Sequence, residues 1–142
     1  MLDEAFSFLT PEQRGILLER AREERYEEGA AIVTEDHVQG AILVVKEGRV
    51  SVEKSHFGGR VPISELGPGA LLGEVSYLDG SPASASVVAR TPVTVLVLEG
   101  IDDLLSSDPD FAGGFYRSLA VLLAQRLRHT TEDRVVSALQ WG

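Results

Sequence analysis

The sequence has no cysteine in its 142 residues. That absence excludes a disulfide framework and any thiolate chemistry. Long apolar runs are also absent, so no segment approaches the length of a membrane span, and no basic-then-apolar leader marks a signal peptide. A chain of this length and ordinary composition is expected to form one domain over residues 1–142, and we predict that it is cytoplasmic.

Basic residues are scarce, because 13 Lys and Arg stand against 22 Asp and Glu, which gives a formal net charge of −9. Such a chain repels nucleic acid and anionic membranes unless its basic residues are segregated. Four arginines do gather near the C-terminus, and we interpret them as the solvated face of a helix. A nucleic-acid surface would carry interleaved aromatic residues or a denser cluster. The four are Arg117, Arg126, Arg128 and Arg134.

Enzyme signatures are missing as well. His37, His56 and His129 are too scattered to begin a metal site, and neither a Gly-x-Ser-x-Gly elbow nor a Walker loop is present. Glu74 and Asp79 are two acids in one loop, which is weak evidence for acid–base catalysis. We therefore predict a protein that is not an enzyme and that carries no metal or obligatory cofactor.

A helix is predicted over residues 10–24. Thr10 suits the N-cap, Pro11 suits the first helical position, and Gln13 completes a capping box. An apolar face follows, and the helical pattern fades in the charged run at residues 22–25.

From Tyr26 onward, short apolar stretches alternate with glycine-containing turns. Val50 and Val52 alternate with Ser51 and Glu53, as in a half-buried strand. Strands this short and evenly spaced indicate an antiparallel sandwich or barrel rather than a βαβ fold. The predicted strands lie at residues 31–33, 41–45, 49–55, 61–66, 84–89 and 93–99, within a β-barrel over residues 26–99.

Helical periodicity returns after Gly100 and predicts C-terminal helices over residues 101–141. A short helix at 101–106 is followed by Asp108-Pro109, which provides a cap and a first-position proline for a longer helix. Gly113-Gly114 lies inside the apolar pattern and suggests a bend or hinge. The apolar stripe of the longer helix either packs on the barrel or forms a dimer seam. Its members include Leu119, Leu123 and Leu127.

Residues 73–86 combine a helix start with a run of small side chains. Gly73-Glu74-Val75-Ser76 can open a short helix after a strand, and the unpaired N–H groups of a helix start favour an anion. The turn at 79–82 brings Ala83-Ser84-Ala85-Ser86 back beside this helix, where small side chains leave room for a ligand. The alternative is a tight turn backed by an apolar strand.

The order of these features resembles the cyclic nucleotide-binding domain family, which includes catabolite-activator-like regulators, kinase regulatory subunits and gated channels. The most specific run is Gly67-Pro68-Gly69-Ala70-Leu71-Leu72-Gly73-Glu74, which leads into the equivalent of the family's phosphate-binding cassette. Residues 26–32 resemble the family's early glycine turn, and residues 41–50 resemble the hairpin that follows. The resemblance covers essentially the whole chain. It implies a mainly β fold, an antiparallel double-stranded β-helix or jelly-roll barrel with an N-terminal helix and a long C-terminal helix.

The resemblance also implies roles for the cassette residues. Gly73 would approach the cyclic phosphate of cyclic AMP (cAMP) or cyclic GMP (cGMP), and Glu74 would bind the ribose 2′-hydroxyl. Val75 and Ser76 would offer backbone amides at the helix start. Phosphate contacts near the end of the cassette would come from Ser84 and Ala85.

The sequence departs from the family at Ala83, where the phosphate-pairing arginine should fall. A charge-assisted contact of this kind contributes about 1.5–3 kcal/mol, so its loss would weaken phosphate binding by about one to two decades. Ser84 and Ser86 can donate hydrogen bonds, but they bring no charge. Arg60 and Arg90 are the candidates for a replacement cation.

Two functions are compatible with these features. The first is a regulatory module in which a small anionic effector, such as a cyclic nucleotide, binds in the cassette and reorients the C-terminal helix. The second is a degenerate domain that binds no nucleotide and acts as a protein-interaction or dimerisation scaffold. Either function implies a protein partner or a homodimer formed through the C-terminal helix.

Overall fold

The computed structural model describes the backbone of residues 2–141 and the side chains of residues 2–129. Within this part of the chain, eight strands and four helices are present. No helix in this range combines the length and the apolar character that crossing a membrane requires. The helices are α1 (Pro11–Arg20), α2 (Glu74–Asp79), α3 (Asp102–Ser107) and α4 (Pro109–Trp141). The strands are β1 (Arg22–Tyr26), β2 (Ala31–Val33), β3 (Ile42–Glu47), β4 (Val50–His56), β5 (Gly59–Leu66), β6 (Leu71–Leu72), β7 (Ser86–Ala89) and β8 (Val93–Leu98).

The strands form two four-stranded sheets with the orders β1-β8-β3-β6 and β2-β7-β4-β5. All pairings are antiparallel. The two sheets share one apolar core, as in a jelly roll, and helices flank the first sheet. The predicted fold class is therefore confirmed.

Strands β3 and β8 are buried on both faces, because their sheet lies between the second sheet and the helices. Leu43 and Val45 belong to the core between the sheets, whereas Ile42 and Val44 belong to the core beneath the helices. The same alternation in β8 explains why its six residues are all buried. Each face of this sheet thus meets an apolar layer, and polar residues are not needed on either side.

The N-terminal helix is shorter than predicted. Its capping box is present, because the Gln13 backbone N–H donates to Thr10 Oγ1 at 3.2 Å and the Thr10 N–H donates to Gln13 Oε1 at 2.9 Å. The helix nevertheless ends at Arg20, and the charged run at 22–26 forms β1 against β8. The prediction of a helix to residue 24 is therefore wrong. Pairing with the buried strand β8 outweighs the helix propensity of the charged residues, whose side chains stay accessible at the sheet edge.

The predicted short helix and longer helix are present as α3 and α4, and α4 continues through Gly113 and Gly114, so these glycines do not divide it into two helices. A Cβ at Gly114 would lie 2.5 Å from the Phe8 carbonyl oxygen, whereas one at Gly113 would meet nothing within 4 Å. The Phe8 backbone N–H also donates to Ser118 Oγ at 3.1 Å. Gly114 therefore serves close packing of the N-terminal segment (residues 2–9) against α4.

The apolar stripe of α4 changes its surroundings along the helix. Leu119 is fully buried in the core beneath the helices, and Leu123 is half-buried. Leu127 is 68% exposed. The stripe thus packs on the barrel at its start and becomes exposed to solvent within about two helical turns. Arg134 lies beyond the residues whose side chains are described.

Strands β4 and β5 form a ribbon that extends past the rest of their sheet. Strand β7 pairs with Val50–Glu53 of β4, whereas the pairing of β4 with β5 continues to His56 and Gly59. The turn between them holds Phe57 at φ 47°, with 97% of the residue exposed. Strand β5 is the edge of the sheet and contains Pro62. The end of the ribbon therefore projects into solvent.

Candidate functional site

The cassette, residues 73–86, connects β6 to β7 and contains the short helix α2. Gly73 begins it at φ 78°, a left-handed conformation that favours glycine. A Cβ at this position would lie 2.7 Å from Gln39 Cγ and 3.0 Å from the Ala41 carbonyl oxygen. Both the backbone conformation and the available space therefore require glycine here.

Glu74 is buried at the start of α2, with 3% of the residue exposed. Its carboxylate forms an ion pair with Arg126 of α4, whose Nη1 donates to Glu74 Oε1. The Nη2 of Arg126 donates to the Leu71 carbonyl oxygen at 2.9 Å. Burial lowers the pKa of the Arg126 guanidinium. One arginine thus joins the cassette and the strand before it to the C-terminal helix.

Sequence reasoning missed this role of Arg126, which it placed on a solvated helix face. The two partners are 52 positions apart, so no spacing motif connects them. A signal was available in the chemistry, because a carboxylate predicted beside a buried strand needs a cation. The arginines of the C-terminal helix were the candidates for that cation, rather than Arg60 or Arg90.

Ser76 is buried, and its hydroxyl closes the cassette on itself. Ser76 Oγ donates to the Ser81 carbonyl oxygen and accepts from the Gln39 backbone N–H at 3.0 Å. Val75, in contrast, is 48% exposed on the outer side of α2. The Ser76 side chain therefore stabilises the shape of the loop, and Gln39 is a further residue that sequence reasoning missed.

Ala83 is held by backbone hydrogen bonds to the loop at residues 34–41. Its N–H donates to the His37 carbonyl oxygen at 2.8 Å, and its carbonyl accepts from the Asp36 N–H at 2.8 Å. The half-buried methyl group packs against the core between the sheets. Where the family resemblance puts a guanidinium, this chain presents an apolar surface.

The end of the cassette is tied to β4 and to the same loop. Ser84 is exposed, and its carbonyl oxygen accepts from Lys54 Nζ at 2.6 Å. Ser86 is buried, and its Oγ accepts from the Glu35 N–H at 3.0 Å. Ala85, between them, is half-buried. These residues lie together as predicted, and Ser84 and Ser86 are hydrogen-bonded to neighbouring groups of the protein.

Arg60 and Arg90, the predicted replacement cations, have other carboxylate neighbours. Arg60 interacts electrostatically with Glu35, and Arg90 interacts with Glu65. The cation that the structure places on the cassette carboxylate is Arg126.

The jelly roll and its helix-containing cassette between β6 and β7 can be compared with known proteins. The family model for the cyclic nucleotide-binding domain matches residues 23–106. This chain belongs to the cyclic nucleotide-binding domain family.

Several relatives are informative. The "Cyclic AMP receptor protein" of Thermus thermophilus is 35% identical over 126 residues, which are 87% of this chain and 56% of that protein. A "Cyclic nucleotide-gated potassium channel" of Mesorhizobium japonicum is 38% identical over 92 residues, 63% of this chain and 24% of the channel. A crystal structure of a cyclic nucleotide-binding domain from Methylobacillus flagellatus has a TM-score of 0.83 at 26% identity, covering 95% of this chain and 82% of that one. The chain thus spans about half the length of the Thermus protein and a quarter of the channel.

Proposed function

We propose that this domain is a non-catalytic regulatory module that senses a small anionic effector in the cassette and relays its binding through α4. The observation that carries the proposal is the ion pair between Glu74 of the cassette and Arg126 of α4. Family membership supports a cyclic nucleotide, cAMP or cGMP, as the effector. The proposed binding residues are Gly73, Glu74, Val75, Ser76 and the small residues at 83–86.

The relay follows from competition for one carboxylate. A ligand hydroxyl that donates to Glu74 would share or displace the Arg126 guanidinium. Arg126 also donates to the Leu71 carbonyl oxygen of β6, so a shift of its side chain alters the contacts of α4 with both the cassette and β6. Hydrogen bonds to charged groups contribute about 1.5–3 kcal/mol, which is in the range of ordinary allosteric coupling energies.

Ala83 sets the strength of the proposed binding. Without a guanidinium at this position, the phosphate of a cyclic nucleotide loses about one to two decades of affinity. Because Arg126 already neutralises Glu74, the remaining site does not present an uncompensated negative charge to an anion. We therefore expect weak but measurable binding.

Calorimetric titration of cAMP and cGMP into the wild-type protein and Ala83→Arg tests this proposal. The variant should bind about ten- to a hundredfold more tightly than the wild type. Ala83→Gln is the matched control, because it adds a long polar side chain without charge and should leave the affinity near that of the wild type. Thermal melting establishes that both variants fold. If neither the wild type nor Ala83→Arg produces heat with millimolar nucleotide, the proposed effector is wrong.

The second candidate function is a scaffold that binds no nucleotide and forms a homodimer or protein complex through α4. The apolar surface at Ala83 and the exposure of Leu127 favour it. Absence of binding by folded Ala83→Arg, together with a dimer in sedimentation velocity, would support this function over the first.

A further inference from the structure

A cavity lies outside the cassette, between β1 and the end of the loop at residues 34–41. Its volume is about 240 Å³. Its floor is apolar and comes from the core between the sheets, where Ile32, Leu43 and Val97 are each less than a tenth exposed. Its rim is polar. The rim side chains are Arg22, Glu24, Tyr26 and Glu99. This combination suits a small ligand with a short apolar body and one polar end.

The charges on the rim favour a cation. Arg22 pairs with two carboxylates, because it donates to Glu24 and, through Nε at 3.0 Å, to Glu99. An anion would have to displace one of these carboxylates from the guanidinium. A cation can instead use acceptor sites that Arg22 leaves, since each carboxylate offers about four. Two acids against one arginine leave the rim with an excess of negative charge.

This charge pattern is maintained at neutral pH. The Tyr26 hydroxyl donates to Glu24 Oε2 at 2.7 Å. Burial first, and then this hydrogen bond, raise the pKa of Tyr26 to about 12, so its hydroxyl stays neutral. The hydrogen bonds from Tyr26 and Arg22 lower the pKa of Glu24, so its carboxylate stays charged.

The cavity and the cassette share Gln39. This residue lines the cavity, while its backbone N–H donates to Ser76 Oγ at 3.0 Å. Its side chain also lies over Gly73, where no Cβ would fit. A ligand that moves Gln39 therefore changes the surroundings of two cassette residues.

We propose that this cavity binds a small alkylammonium ion, with the ammonium group on Glu99 and Glu24 and the alkyl chain over the apolar floor. We further propose that its occupancy reaches the cassette through Gln39. This site does not use Glu74 or Arg126. The proposal can therefore be correct or wrong independently of the proposed sensing of an anionic effector. The half-exposed rim limits the affinity to the millimolar range.

Titration of ¹⁵N-labelled protein with n-butylammonium chloride, followed by two-dimensional NMR, tests the site. We expect saturable shifts of the Ile32, Gly40 and Ala41 amides. Gly73 and Ser76 should shift with the same dissociation constant. Sodium butyrate and n-butanol are the ligand controls, and neither should cause saturable shifts.

Two variants test the role of the carboxylate. Glu99→Gln should weaken butylammonium binding about fivefold, whereas Glu12→Gln, an equal charge change on α1, should not change it. The site is wrong if butylammonium causes no saturable shift. The ligand class is wrong if butanol binds equally well or if Glu99→Gln has no effect. The link to the cassette is wrong if Gly73 and Ser76 do not respond while the lining residues do.

Discussion

Glu74 is an acid that the fold buries almost completely, and Arg126 compensates that burial. An ionised carboxylate is unfavourable in an apolar surrounding unless it is paired and hydrogen-bonded. Arg126 reaches it from α4 while keeping 40% of its own side chain exposed. The pair therefore joins two elements without removing both charges from water, and solvent screens it on the side of the arginine.

Replacing both members of this pair should cost less than the sum of the two single replacements. Arg126→Met leaves Glu74 buried without this cation and should lower the free energy of unfolding by about 1–3 kcal/mol. Glu74→Gln combined with Arg126→Met removes the uncompensated charge. We expect the double variant to recover about 1 kcal/mol relative to the sum of the single changes. Urea denaturation of the four proteins measures this difference, and simple additivity would show that the two side chains do not interact.

At the scale of single elements, α4 is shaped by what lies against it. The N-terminal segment (residues 2–9) contributes Phe6 to a stacked aromatic contact with Phe115, at 5.4 Å between ring centroids. The Arg117 guanidinium lies 4.2 Å from the centroid of the Phe8 ring. Together with the close approach of Phe8 to Gly114, these contacts attach the segment to the first turns of α4. The segment and the helix therefore form one packed unit.

The two adjacent glycines of α4 should respond in opposite ways to alanine. Gly113→Ala meets open space, so the higher helix propensity of alanine should stabilise the protein by up to about 1 kcal/mol. Gly114→Ala places a methyl group against the Phe8 carbonyl and should destabilise it by about 1–3 kcal/mol despite the same propensity gain. Thermal melting compares the two variants, each of which is the control for the other. Equal effects would contradict the close-packing role of Gly114.

At the scale of the whole molecule, the acidic surface is organised by hydrogen bonds and ion pairs. Several carboxylates have a pKa below the ordinary value because a neighbour donates to the charged form. Lys46 acts on Glu23, Arg49 on Glu65 and Arg20 on Asp103. Each of these interactions contributes little to the stability of the fold because the groups are exposed. All of them nevertheless stabilise the fold when the carboxylates are charged. Hydrogen bonds from Ser55 and Ser81 lower the pKa values of Glu35 and Asp79 in the same way.

These shifts predict the direction of acid destabilisation. A carboxylate whose pKa is lower in the folded than in the unfolded protein stabilises the fold above its unfolded value, and this stabilisation is lost as the pH falls through the folded value. The ordinary values are 3.8 for Asp and 4.5 for Glu. We therefore expect the melting temperature to decline as the pH falls below 4.5 and to decline further below 3.8. Melting curves monitored by circular dichroism measure it, and a melting temperature that rises over that interval would contradict this account.

The sequence predicts much of the fold because the relevant signals are local. Alternation in residues 50–53 and the capping box at Thr10 depend on neighbouring positions, and the structure has both elements. Strand β1 was missed because its charged residues carry no apolar alternation, and its identity comes from pairing with β8, some seventy positions away. Gly73 and Glu74 are adjacent in the chain, so their position in one loop could be predicted. No spacing motif assigns Arg126 or Gln39 to that loop, because only the folded chain brings them there. The ligand roles of the cassette residues stay predictions.

The ribbon of β4 and β5 has a consequence for how copies of this protein can meet. An edge strand with exposed Val61 and Ile63 is the kind of surface on which a foreign strand can add, and such addition propagates into fibrils. Pro62 lies between these two residues and has no backbone N–H to donate to an added strand. The edge is therefore a poor template for strand addition along β5, although it displays apolar side chains.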